Sequence, residues 1–237
     1  MQSTSVKAVL FDYGLTLVTF TFPRRELLGV LDAFRPAIGQ ATAVAVPAAE
    51  ILMASVLEPL EAALASSENR EVDYLSVYRE AWRSVELDLP SDLLYRILDA
   101  EQACWDQAVQ LMPGAIATLD MLGERGITAA VVSNAPFPPE MMARQLAGNG
   151  VGRRLATAIF SSAIGWRKPA PAIYQAALDQ LGCAAEEVLF VGDRLVEDYL
   201  APRELGMRSV LFTPPGAQRA PSGVDSIGRL GDIELWL

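Results

Sequence analysis

Apolar positions along this chain keep three rhythms in turn. Residues 6–11 (Val-Lys-Ala-Val-Leu-Phe) form a short apolar run that stops at Asp12 and gives way to Tyr13-Gly14-Leu15-Thr16-Leu17. That pattern predicts one buried strand and a Gly-containing loop. From Val18 to Met112 apolar residues recur at helical spacing, as in Leu52, Val56, Leu60 and Leu64, or Tyr74, Tyr78, Ala81, Trp82 and Val85. A further set is Leu94, Ile97, Leu98, Cys104 and Trp105. Asp73 and Ser91 stand where N-caps belong, and an earlier helix over 25–34 should stop near Pro36. This middle part is predicted helical throughout, each helix burying one stripe, with its Trp and Tyr residues as packing.

From Pro113 onward, short apolar runs alternate with helical stretches. Strands are predicted over 127–133, 158–160, 187–191 and 209–212. Helices are predicted from Pro113-Gly114 to Gly126, from Pro138-Pro139 to about Gly148, from Pro171 to Leu181, and from past Asp193 to Gly206. Residues 213–221 are Pro-rich and read as a loop. Apolar strands separated by helices indicate an α/β fold with a parallel sheet covered on both faces. The first strand has no β partner near it in sequence and is assigned to this sheet. The domains are therefore 1–17 with 113–237 as an α/β core, and 18–112 as an inserted helical cap expected over the sheet.

Composition narrows the chemistry. With 237 residues, 51% hydrophobic and 20% charged, the chain is long and apolar enough for a packed core. A net charge of −10 argues against nucleic acid as a main partner. The absence of His removes His triads, His-ligated metals and the usual near-neutral switch. Cys104 and Cys183 form no CxxC pattern and read as buried free thiols in a reducing, cytoplasmic setting. The N-terminal residues lack a leader pattern, and no apolar run is long enough to span a bilayer, so no membrane partner is expected.

Ligands of open parallel sheets sit beyond the carboxyl ends of the strands. Four polar elements fall there: Asp12, Ser133-Asn134, Arg167-Lys168, and Asp193 with Asp198. Singly, each is ordinary turn, capping or surface chemistry. Together, each following a strand, they point to one site.

These stretches resemble the haloacid dehalogenase superfamily of phosphohydrolases. The resemblance is carried by Phe11-Asp12-Tyr13-Gly14-Leu15-Thr16-Leu17, Val132-Ser133-Asn134, Gly165-Trp166-Arg167-Lys168-Pro169 and Val191-Gly192-Asp193-Arg194-Leu195-Val196-Glu197-Asp198. It implies a Rossmann-like core with Asp12 as nucleophile, forming an aspartyl-phosphate. It implies Mg²⁺ held by Asp12, the Gly14 carbonyl, Asp193 and Asp198, with Glu197 the alternative to Asp198. Lys168 would balance the carboxylates and hold the phosphoryl group, Ser133 would donate to it, and Asn134 would line the substrate site with them. A small phosphorylated metabolite is the implied partner, with a monomer or a homodimer both compatible.

Position 14 departs from the family's phosphatases, where an Asp protonates the leaving oxygen. Three readings follow. The first is a phosphatase without that acid. The second is a carbon–halogen hydrolase, whose leaving halide needs no proton and which needs a cap Arg such as Arg24 or Arg25. The third is a phosphate- or protein-binding module with little turnover. Tyr13, Phe20, Arg24 and Asn134 are candidate substrate neighbours, and residues 136–139 a candidate entrance wall.

Overall fold

The computed structural model describes residues 5–65 and 69–237. Residues 1–4, read above as part of a leaderless N-terminus, lie outside that range. The chain forms two compact units. One comprises Met1–Phe20, Asn69–Glu71 and Gln110–Leu237; the other comprises Thr21–Glu68 and Val72–Val109.

In chain order the strands are β1 (Ala8–Phe11), β2 (Val18–Phe20), β3 (Val109–Leu111), β4 (Thr128–Ser133), β5 (Thr157–Phe160), β6 (Val188–Gly192), β7 (Arg208–Phe212) and β8 (Ser226–Ile227). The main sheet runs β5-β4-β1-β6-β7-β8 with every neighbouring pair parallel. The predicted α/β class and parallel sheet are thus observed. Phe11 is in register with Val131 on one side and Val191 on the other, so β1 is central.

Burial explains the all-apolar β1, β4 and β6. On one face Ala8, Leu10, Ala130, Val132, Val188 and Phe190 pack with Ile173, Tyr174 and Ala177 of the helix Pro171–Leu181. Strand alternation puts Val9, Phe11, Val131, Leu189 and Val191 on the opposite face, where they too are buried. Gly182, at φ 62°, closes that helix by donating its N–H to the Leu178 carbonyl. The helices Ala115–Glu124 and Pro139–Gly148 follow the predicted Pro and Gly signals. From β1 the order steps to β4 and β5 on one side, then to β6 and β7 on the other. The crevice at this reversal lies beyond the carboxyl ends of β4, β1 and β6.

The second unit is helical, with α-helices over Arg24–Thr42, Ala49–Leu52, Glu58–Ala65, Tyr74–Arg83 and Ser91–Ala108. Leu27, Leu31, Leu52, Val56, Tyr78, Trp82, Ile97 and Leu98 make its core. Asp73 caps its helix as predicted, accepting from the Ser76 N–H at 3.3 Å. A π turn over Met53–Leu57 widens the chain just before Pro59, which has no N–H to continue an α ladder.

Several boundaries differ from the sequence reading. The first helix does not stop near Pro36 but runs through it to Thr42. Its apolar stripe continues from Leu31 to the buried Ile38, and packing outweighs one lost backbone bond. Ser91 is not the N-cap; Pro90 holds that position, and the Ser91 hydroxyl accepts from Arg79. The stretch from Val18 is not helical throughout, since β2 and β3 pair as a small two-stranded sheet at the ends of the insertion. Cys104 and Cys183 are free but only half-buried, and Cys183 lies past the end of its helix. The short β8 and the 3₁₀ turn over Leu230–Trp236 were not anticipated. Among the described residues, no helix is long and apolar enough to cross a membrane.

Candidate active site

Asp12 is held where β1 ends. Its N–H donates to the Val191 carbonyl at 2.9 Å, so the sheet ladder continues one residue past the strand and fixes where the carboxylate starts. The chain then turns through Gly14, which bridges to Val18, and Leu15, at φ 62°. A Cβ on Gly14 would meet only Phe20 Cε1, at 3.4 Å, so the loop has room for a side chain there. Tyr13 turns into the interior, where its hydroxyl accepts from Asn149 Nδ2 at 2.7 Å.

Lys168 arrives from the loop after β5. Its Nζ donates to Asp12 Oδ1 and to Asp198 Oδ1, both at 2.7 Å, and lies 5.3 Å from the Phe190 ring centroid. Asn134, just past β4, aims the loop. Its Oδ1 accepts from the Lys168 N–H at 2.7 Å and its Nδ2 donates to the Lys168 carbonyl at 3.0 Å. Both functional atoms of the Asn134 amide therefore engage the Lys168 backbone. Ser133 is the buried last residue of β4.

β6 delivers Asp193 and, one π turn on, Asp198. Asp198 is fully buried, and its Oδ2 accepts from the Arg194 N–H at 2.9 Å. That carboxylate sits so close to β6 that a Cβ on Gly192 would lie 2.3 Å from Asp198 Cγ. Only glycine fits at 192. Glu197 stays outside the cluster, its carboxylate 3.9 Å from the Arg194 guanidinium.

The carboxylates of Asp12, Asp193 and Asp198 each offer an oxygen, all within 4.8 Å of one another. The Lys168 ammonium pairs with Asp12 and Asp198, and the third carboxylate, Asp193, feels the Arg194 charge, so the cluster keeps excess negative charge when all three are ionised. The strain is visible in the acidities. Burial, then the Asp12 charge, pushes Asp193 up to about 6. Burial pushes Asp198 up to about 7, with Asp12 adding to the shift and Lys168 opposing it. Burial alone would lower Lys168, but the attraction and hydrogen bonds of Asp12 and Asp198 outweigh it and hold its ammonium charged. Clustered, hard oxygen donors with excess negative charge suit a divalent cation such as Mg²⁺.

The remaining predicted neighbours are scattered. Phe20 is half-exposed on β2, and residues 136–138 form the loop before the helix Pro139–Gly148. Arg24 belongs to the helical unit, where it pairs with Glu58 at 3.4 Å. Two features escaped the sequence reading. The Thr16 hydroxyl is fully buried without a hydrogen-bond partner in the loop that carries Asp12. Tyr174 donates its hydroxyl to the Glu197 carbonyl from the helix after Lys168. Thr16 lay within a motif already quoted and Tyr174 within the helix predicted from Pro171, at the end of the family-like stretch 165–174; neither was singled out as a site residue.

A family model of haloacid dehalogenase-like hydrolases matches residues 6–206, which covers the ends of β1, β4, β5 and β6 and the site residues beyond them. The chain belongs to the haloacid dehalogenase-like hydrolases. Among similar proteins, this hydrolase is 36% identical over 108 residues to the human haloacid dehalogenase-like hydrolase domain-containing protein 3, covering 46% of this chain and 42% of the relative. It is 40% identical over 96 residues to a phosphoglycolate phosphatase of Pectobacterium atrosepticum, covering 40% of each. These matches span about two fifths of the relatives' length. In fold, the hydrolase resembles a 2-haloacid dehalogenase from Pseudomonas syringae, with a TM-score of 0.70 at 20% identity over 97% of each chain.

Proposed function

We propose that this hydrolase is a Mg²⁺-dependent phosphatase for a small phosphorylated substrate, working through a phosphoryl group on Asp12. The observation that carries the reading is the trio of Asp12, Asp193 and Asp198, the first and last of them buried, with the Lys168 ammonium paired to Asp12 and Asp198. That charge imbalance is suited to a divalent cation and an anionic substrate together. Phosphatases among its relatives support the same reading.

Asp12, Asp193 and Asp198, with the Gly14 carbonyl, would hold Mg²⁺, whose chemistry is to neutralise the negative charge of an incoming phosphate. Lys168 holds the Asp12 carboxylate by a hydrogen bond and attracts the phosphoryl oxygens, and Ser133 donates to one of them. Asn134 acts on the backbone of Lys168 and so sets where the ammonium points. A carboxylate oxygen of Asp12 bonds to phosphorus as the ester P–O bond breaks, and the electron pair leaves with the ester oxygen. Water then hydrolyses the phosphoryl-aspartate, releasing inorganic phosphate and restoring the carboxylate.

Gly14 places no acid beside the leaving oxygen. General acid catalysis is worth roughly 10²–10⁴-fold, or about 3–5 kcal/mol of barrier. Substrates whose leaving group is stable without a proton, such as aryl or acyl phosphates, are therefore turned over fastest. Gly14 equally suits carbon–halogen hydrolysis, where halide needs no proton, but that chemistry has no use for the three clustered carboxylates.

The test is phosphate release from an aryl phosphate with and without Mg²⁺, beside Asp12→Asn. Release that needs both the metal and Asp12 supports the proposal. Metal-independent halide release from a 2-haloacid would replace it with the dehalogenase reading. Silence toward a broad ester panel, with measurable phosphate affinity, would leave a binding module.

A further inference from the structure

We infer that Glu71 is a positioning residue, whose buried carboxylate clamps the two loops that carry Lys168 and Ser133. Only the kinetic arm of its test rests on the phosphatase reading.

Glu71 lies in the middle of the insertion by sequence, yet Asn69–Glu71 belongs to the sheet-bearing unit, with segments of the helical unit on both sides. The segment is stitched to residues 165–167. Arg70 bridges Trp166 in antiparallel fashion, the Arg167 N–H donates to the Asn69 carbonyl at 2.8 Å, and the Glu71 N–H donates to the Gly165 carbonyl at 3.1 Å. The Arg70 guanidinium lies 4.8 Å from the Trp166 ring centroid.

The Glu71 side chain is only 1% exposed. Its two oxygens accept from Arg167 Nη1 at 2.9 and 3.2 Å, and Oε2 also accepts from the Ser161 hydroxyl. Ser161 is fully buried, and its Oγ accepts in turn from the Ala135 N–H at 2.8 Å. One carboxylate thus holds the residue before Lys168 and, through Ser161, the residue two past Ser133. Asn134 closes the circuit between the two loops.

A buried ion pair adds little net stability over apolar packing, because desolvation offsets the attraction. What this one supplies is direction, since three hydrogen bonds converge on a single planar group. Direction matters here because the Lys168 ammonium must meet Asp12 and Asp198 at once. Residues 165–167 lie outside the strands, and beside the Gly165 N–H bond to the Ser161 carbonyl at 2.7 Å it is the inserted segment that supplies the contacts described above.

The test uses the full chain with Glu71→Gln, Glu71→Ala and Ser161→Ala. Two readouts are needed: steady-state kinetics on an aryl phosphate with Mg²⁺, and amide exchange at Ala135 and Lys168 without substrate. A clamp predicts kcat lower by about 10- to 100-fold per folded molecule, the scale of a displaced catalytic group, with KM little changed. Glu71→Gln, which keeps one acceptor oxygen, should retain more kcat than Glu71→Ala. Exchange should quicken at both amides in the Glu71 variants while amides within β4 and β6 keep their protection. A lower melting temperature with unchanged kcat and unchanged exchange at the two amides would overturn the proposal. Where Glu71→Ala does not fold, Ser161→Ala still cuts the arm to Ala135. If the wild type releases no phosphate, the phosphatase reading fails, and the clamp stands or falls on exchange alone.

Discussion

Glu101 is a carboxyl group buried in the helical unit with too little to hold its charge, and Glu101→Gln should stabilise the protein at neutral pH. The side chain is 4% exposed, its Oε2 accepts from the Tyr78 hydroxyl at 2.9 Å, and its Oε1 has no partner. Glu61, Tyr74 and Cys104 also feel its field. Burial raises its pKa from the ordinary 4.5 to about 8, with the Tyr78 bond opposing and Glu61 adding. The folded state therefore keeps a proton that the unfolded chain gives up. Stability from this group is full below pH 4.5, erodes between 4.5 and 8, and is flat above. At about 1.4 kcal/mol per pH unit, the loss is on the order of 3 kcal/mol by pH 7 and under about 1 kcal/mol at pH 5. Gln carries no charge in either state and removes the slope. Urea unfolding of both proteins from pH 5 to 9 at fixed ionic strength, followed by far-UV circular dichroism, reads the difference. Other titrating groups largely cancel, so the gap should widen with pH in favour of the variant. Parallel curves, or a variant less stable at pH 8, would refute the reasoning.

Two further outcomes follow from the site. Gly14→Asp fits the loop, since its Cβ meets only the half-exposed Phe20 ring at 3.4 Å. It should raise turnover of an alkyl phosphate by roughly 10²–10⁴-fold while leaving an aryl phosphate almost unchanged; an equal effect on both would sink the assignment of position 14 as a missing acid. Gly192→Ala drives a methyl group to 2.3 Å from Asp198 Cγ. Asp198 must shift, so Mg²⁺ affinity measured by calorimetry and turnover should fall together, and a variant with wild-type affinity would contradict the packing described for β6.

The local signals were strong where burial and turn chemistry act on consecutive residues. β1, β4 and β6 were legible because strands buried on both faces must be apolar at every position. Helix 171–181 was legible from Pro171 and Gly182, and the helix at Tyr74 from Asp73. Pro36 and Ser91 misled for one reason: a breaker and a capping residue state local preferences, and the packing of Ile38 and the Arg79 contact outweighed them.

By itself the sequence determined the α/β class, the helical insertion and which polar residues end strands, since these depend on periodicity and neighbours in the chain. Only the tertiary structure decided which of those residues meet. It brought Lys168 onto Asp12 and Asp198 across separations of 156 and 30 residues. It left Glu197 outside the carboxylate cluster, turned Tyr13 inward, and tied Glu71 to Arg167 across 96. Contacts at such separations are set by sheet order and loop closure, and charge balance exists only once the groups share one desolvated space.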